Sequence, residues 1–360
     1  MTLRDRAPAE RLAWAWHLAF LAAAVVYASV RLEYSEEYRH APWAALLDGS
    51  APRPFGHRIL VPKLAAWLHD GLHVPVTTVF WAFEAAAAWA LVEVMAAALA
   101  LRRPAASAAR WSLVGLVVLG VSYVTPRTWP VFYPWDTPAL VVIVAAVVLG
   151  ARARYGWAVV LATVGALNRE SAALVPAIVL ALRIDEEPDL RGLWAWTALG
   201  VAGVLAARTA IVVAMPDNPG PALHFTVHGS YRLHENLSWV AVPRQLGAAL
   251  AWGGWLLFLW PWRAHAIGWP WRRLGAVALA WAGASLVVAN VYEPRAFGEA
   301  IALAWIAVVA GPPAPSVARR PAVRWFDATW GWAVLLGLVA AAISLSAWSW
   351  LPVAQWPMPR

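Results

Sequence analysis

The run VTTVFWAFEAAAAWALVEVMAAALAL, residues 76–101, decides what kind of fold this chain adopts. It is almost wholly apolar, yet it carries two carboxylates, Glu84 and Glu93. A hydrocarbon layer of roughly 30 Å needs about 20 helical residues to cross it, so this run is long enough. Comparable runs occupy Leu12–Val30, Leu193–Met215 and Trp330–Ala347. Lipid offers no hydrogen-bond partners, so a spanning segment must satisfy its own backbone, and a helix does so.

Composition points the same way. Hydrophobic residues make up 62% of the 360 and charged residues only 13%. Soluble domains are near half apolar and a quarter charged, so this chain has too little polar surface to coat a water-exposed globule. No polar stretch is long enough to build a separate soluble domain, and residues 1–360 read as one integral membrane domain. The absence of cysteine excludes disulfides, thiolate metal sites and cysteine nucleophiles. The excess of 28 basic over 20 acidic residues reads as membrane topology and lipid-headgroup contact rather than nucleic-acid binding. Leu12–Val30 follows Arg4, Arg6 and Arg11, as a signal peptide would. Its apolar stretch is longer than a signal core, and it is expected to be a retained first span.

The expected fold is all-α, a polytopic transmembrane bundle of about eleven spans. They fall near 12–30, 76–101, 111–124, 137–150, 156–167, 171–183, 193–215, 238–261, 274–290, 298–311 and 328–348. The pair at 156–183 is a short hairpin, read either as two spans or as one kinked or re-entrant element. With the amino terminus cytoplasmic, every inner loop is basic: Arg102/Arg103/Arg110, Arg152/Arg154, Arg183/Arg191, Arg263/Arg272/Arg273 and Arg319/Arg320/Arg324. The carboxyl terminus is then extracytoplasmic. Most of the 27 tryptophans fall near span ends, where the amphipathic indole prefers the headgroup region.

Chemistry-bearing residues gather on the expected outer face. The first outer loop, residues 31–75, begins Arg-Leu-Glu33-Tyr-Ser-Glu36-Glu37. Any of these three carboxylates is a candidate general base, with a solvated acidic loop as the plain alternative. Residues 57–72 carry apolar positions at helical spacing and are expected to lie on the interface as an amphipathic helix. Arg58, Arg127, Arg169 and Arg295 sit in separate outer segments, beside His57, Asp136, Glu170 and Glu293. Guanidinium groups hold phosphate by bidentate, charge-assisted hydrogen bonds; internal Arg–Glu pairs or headgroup contacts are the alternatives.

Within the spans, Glu84 and Arg208 lie at similar depths, roughly 10–12 Å from the outer ends of their runs, and are expected to pair. Glu93, nine positions from Glu84, falls on the opposite helix face. His224 and His228 lack further ligands at set spacing, so no metal site is expected. No Walker loop, GxGxxG fingerprint or GxSxG elbow is present, and no nucleotide cofactor is expected.

The stretches PFGHRILVPKLAAWL, YPWDTPAL, GALNRESAALVPAIV and VYEPRAFGEAI, following a first helix and an acidic outer loop, resemble the GT-C type membrane glycosyltransferases and their bacterial relatives. The resemblance implies transfer of a sugar from a polyprenyl-phosphate or polyprenyl-pyrophosphate carrier on the extracytoplasmic side of a bacterial inner membrane. It implies Glu33, Glu36 or Glu37 as base and Arg58, Arg169 and Arg295 as contacts to the carrier phosphate. This loop carries Glu-x-x-Glu-Glu where such enzymes often carry Asp. Two other classes fit the residues. A carrier or flippase would use Glu84, Glu93, Arg208 and the broken helices at 156–183. A noncatalytic partner would retain only the transferase-like fold.

Overall fold

A computed structural model describes residues 3–124, 131–218, 226–227, 230–264, 269–289 and 294–310. They are almost entirely helical; the strands among them are the two-residue pair Thr226–Val227 and Ser230–Tyr231. The helices are α1 (Leu3–Glu33), α2 (Trp43–Asp48), α3 (Leu60–Leu72), α4 (Val76–Ala100) and α5 (Ala105–Val124). They continue with α6 (Asp136–Ala151), α7 (Tyr155–Asn168), α8 (Leu174–Arg183), α9 (Leu190–Ala214) and α10 (Arg232–Val240). The last four are α11 (Pro243–Ala249), α12 (Trp255–Ala264), α13 (Trp269–Val288) and α14 (Gly298–Ala310).

Among the described residues four segments are long and apolar enough to cross a membrane: Trp14–Glu33, Val76–Ala100, Ala105–Tyr123 and Leu190–Ala214. α6 and α7 are apolar but shorter. Buried and lipid-ready faces divide the helices between them. α14 buries nearly every residue, as expected of a helix that is apolar all round. α1 and α9 instead leave Leu18, Leu21, Val26, Leu205 and Val213 exposed, faces that lipid would cover. α4 and α6 form the core with α14 through Leu91, Met95, Leu140, Ile143 and Leu303.

Local chemistry sets the breaks. α9 starts where Asp189 accepts the Gly192 N–H at 2.9 Å, a side-chain cap for an otherwise orphaned donor. α7 stops because Arg169 is extended (φ −159°, ψ 150°). A 3₁₀ turn at Glu170–Ala173 then leads into α8, so the hairpin expected at 156–183 is two helices around one turn. The single span expected at 238–261 is instead divided. Pro243 cannot donate to a preceding turn and begins α11, and a π-helical turn at Leu250–Gly254 precedes α12. The helix expected at 57–72 begins at Leu60 rather than residue 57, since Phe55–His57 is a separate 3₁₀ turn. The span expected at 328–348 and the histidines 224 and 228 lie outside the described residues.

The bundle has two distinct ends. At one, the final turns of α1, α7 and α9 meet the starts of α4, α6 and α14, with residues 34–59 and 131–135 beside them. At the other lie the links 101–104, 152–154 and 184–189 and the start of α13. There Arg102 sits over the Trp271 ring at 6.0 Å and Arg183 binds Glu186 at 2.9 Å.

Candidate functional site

The segment Val131-Phe-Tyr-Pro-Trp-Asp-Thr137 is the hub of the first end. Its backbone is pinned on both sides. Phe132 N–H donates to Glu36 O at 3.0 Å, and Asn168 Nδ2 donates to Trp135 O at 2.9 Å. Tyr133 and Trp135 stack, with ring centroids 5.1 Å apart, and Phe55 stacks on Tyr133 at 5.5 Å. These rings are the floor on which the arginines sit.

A deep layer surrounds Asp136, which is buried with Arg31, Glu84 and Glu299. Arg31 pairs with Glu84, and it donates to Thr137 Oγ1 at 2.6 Å, Asp136 Oδ2 at 3.2 Å and Tyr133 O at 3.3 Å. The other Asp136 oxygen takes Arg169 Nη1 at 3.1 Å, and the same nitrogen is 3.2 Å from Glu299 Oε1. Its neighbour Gly298 packs closely on α5: a Cβ at that position would meet the Tyr123 hydroxyl at 2.3 Å.

A shallower layer surrounds Glu170. Arg58 reaches Glu170 Oε2 at 3.2 Å and Arg208 reaches Oε1 at 3.0 Å. Arg208 also donates to His57 O at 2.9 Å and Ala166 O at 3.3 Å, joining α9 to the first loop and to α7. Arg58 lies over the Trp135 ring at 5.2 Å, and Arg295 over Tyr133 at 3.9 Å while donating to Val131 O at 3.2 Å. Burial alone would raise the Glu170 carboxyl, but Arg58 and Arg208 outweigh it and hold the group below its ordinary range. It therefore stays ionised and is a weak base. Burial first, then the charges of Arg208 and Arg53, push the His57 imidazole below its usual value. Beside these pairs Arg58 Nε, Trp135 Nε1, Asn168 Oδ1 and Ser171 Oγ are buried and, among the described residues, have no hydrogen-bond partner. Such atoms cost about 1–3 kcal/mol each, which marks the layer as built for more than packing.

The structure thus gathers Arg58, Arg169 and Arg295 around one turn, with His57, Asp136 and Glu170. Arg127 and Glu293 lie outside the described residues. The three glutamates of the first loop do not enter the cluster. Glu33 and Glu36 are exposed, and Glu37 accepts the Trp43 N–H at the start of α2. Among the described residues no ion pair joins any of them to the arginines. The expected Glu84–Arg208 pair is also corrected: each found a nearer partner, Glu84 in Arg31 and Arg208 in Glu170. Glu93 pairs with His17, away from Glu84.

Arg31, Thr137 and Glu299 are central here yet were not among the candidates. Arg31 ends an apolar run, and the sequence places it in the outer loop; the helix continues to Glu33 and keeps it inside. Glu299 follows a 3₁₀ turn at Pro294–Phe297 and opens α14. No family model matches the chain, and no curated protein or solved structure does either.

Proposed function

We propose that this end of the bundle is the polar site of a GT-C-like glycosyltransferase, acting on a sugar carried by a polyprenyl phosphate. The observation that carries the reading is the convergence of Arg58, Arg169, Arg208 and Arg295, from four separate segments, around the aromatic turn at 131–137. Guanidinium groups on rigid elements suit a diphosphate or phosphate leaving group, whose developing charge they stabilise. Ionisable groups gathered at one end of an apolar bundle are expensive to keep and mark a functional site by default.

In this reading Glu36 is the base. Its backbone is hydrogen-bonded to the 131–132 segment, whereas the Glu37 carboxylate is engaged at α2 and Glu33 closes α1. The base takes the acceptor hydroxyl proton, the alkoxide attacks the anomeric carbon from the face opposite the phosphate, and the C–O bond to the carrier breaks with inversion. Arg58 and Arg295 receive the departing phosphate, and Arg169 and Arg208 hold the site's shape through Asp136, Glu299 and Glu170.

The proposal includes a topology of about eleven spans in a bacterial inner membrane, amino terminus cytoplasmic and carboxyl terminus outside. Arginines at the opposite end of the bundle (Arg102, Arg103, Arg152, Arg154, Arg183 and Arg273) support that orientation. α3 fits an interfacial helix: Leu64, Trp67 and Leu72 face outward while Val61, Pro62 and Ala65 pack inward.

A second reading, a noncatalytic bundle of the same shape, is favoured by the internal pairing of Arg31, Arg169 and Arg208. Transfer from a radiolabelled polyprenyl-phosphate sugar in reconstituted vesicles separates the two. Glu36→Gln is expected to lower the rate by about 100-fold or more, the usual contribution of a general base. A Glu33/Glu36/Glu37 triple glutamine variant that transfers at the native rate removes the base assignment. Absence of transfer by the native protein favours the noncatalytic bundle.

A further inference from the structure

A second site lies at the opposite end, in an open groove of about 460 Å³ lined by Arg154–Trp157, Val160 and Trp196. Its mouth is basic. Arg152 and Arg154 are exposed, and among the described residues neither side chain makes a hydrogen bond or ion pair. Other arginines at this end are engaged: Arg183 with Glu186 and Glu187, Arg273 with Asp185. The Tyr155 hydroxyl is also used, bound to Glu187 and to Arg183 Nε.

The walls are apolar and stay uncovered. Trp157 is 67% exposed and Trp196 41%, and the strip continues through Val160 and Val164 on α7 and Leu199 on α9. Farther along, the two helices touch: a Cβ on Gly203 would lie 2.1 Å from Thr163 Oγ1. The result is an apolar slot of indole faces with one cationic lining residue, Arg154, and the exposed Arg152 two residues before it in the same link. Indoles prefer the headgroup depth of a bilayer, and guanidinium groups suit phosphodiesters.

We propose that this groove holds one anionic phospholipid, its phosphate between Arg152 and Arg154 and an acyl chain along Trp157, Val160 and Trp196. Charge complementarity selects the occupant. A zwitterionic lipid presents an ammonium to the same two arginines, and an anionic lipid does not. A basic side chain near an anionic leaflet contributes about 1 kcal/mol, or about fivefold, per residue. The inference rests on membrane embedding and not on sugar transfer.

The test is photo-labelling of the full chain in vesicles with phosphatidylglycerol or phosphatidylcholine carrying a diazirine on the acyl chain, followed by peptide mapping. Peptides holding Trp157, Val160 and Trp196 are expected to label at least about fivefold more with the anionic probe. An Arg152→Gln/Arg154→Gln variant is expected to fall to the phosphatidylcholine level. Equal labelling by the two probes, or a double variant that labels like the native chain, overturns the site. Labelling of the exposed α1 face at Leu18 and Leu21 by both probes reports insertion separately. Its loss would count against membrane embedding itself, and with it against the proposal.

Discussion

At one end of the bundle Arg31, Arg169 and Arg208 are drawn inward and matched to carboxylates on other helices. At the other end, Arg183 pairs within its own neighbourhood, three and four residues away, and Arg152 and Arg154 face outward. The residue type is the same and the physics differs. A buried guanidinium must be paired and hydrogen-bonded, because desolvation of a bare charge costs several kcal/mol. Arg152 and Arg154 are exposed, where charge is screened and a pair contributes little; Arg183 is as sheltered as Arg208 but keeps its partners within one turn. The inward end therefore ties six helices, α1, α4, α6, α7, α9 and α14, to one another, while Arg152 and Arg154 at the other end tie none.

The strongest way to break this contrast is to remove a buried cation. Arg31→Met leaves Glu84 and Asp136 facing one another with only Arg169 nearby. About 3–5 kcal/mol of stability is expected to be lost, the usual cost of breaking a buried pair. The control is Asp185→Asn, which removes the exposed partner of Arg273; a change under about 1 kcal/mol is expected there. Thermal unfolding of both variants in the same detergent reads the difference. Equal losses would show that the two ends are not energetically distinct.

A smaller effect is expected at Gly298. The Tyr123 hydroxyl occupies the space of the missing Cβ, so Gly298→Ala forces α5 and α14 apart. Overpacking of this kind costs about 1–3 kcal/mol. It should also move Glu299 from Arg169, and Gly298→Ala/Tyr123→Phe, which removes the oxygen in the way, should recover part of the loss. If the single variant is as stable as the native chain, the close approach is not what positions Glu299.

The difference between the ends also explains what could be read from residues alone. Long apolar runs announce α1, α4, α5 and α9 because hydropathy is a local property. The arginines of the outward end follow from the same reading, since they lie in short loops between runs. The cluster at the inward end is a matter of partnership, and partnership is nonlocal. Glu84 and Arg208 do lie at similar depths, but depth does not choose between Arg31 and Arg208, or between Glu84 and Glu170. Rotation about each helix axis makes that choice, and core packing sets it. The break at 241–254 was hidden for a related reason. Its residues are apolar on average, and only Pro243 and the glycines at 247, 253 and 254 oppose a continuous helix.

The smallest effect expected, and the one most particular to the inward end, is a dependence on pH. His57 is buried with its titration point below 6.5, chiefly through desolvation and then through Arg208 and Arg53. In the unfolded chain the imidazole recovers its ordinary value near 6.5 and takes up a proton that the folded form refuses. The unfolded state thus binds more protons as pH falls below 6.5, and folding stability declines there. Above that value the two states bind alike and the contribution is constant. His57→Asn keeps a polar group of similar reach but cannot titrate, so its unfolding temperature should vary less between pH 7 and pH 5 than that of the native chain. A native slope that persists in His57→Asn would place the acid sensitivity elsewhere and remove His57 from the charge balance around Glu170.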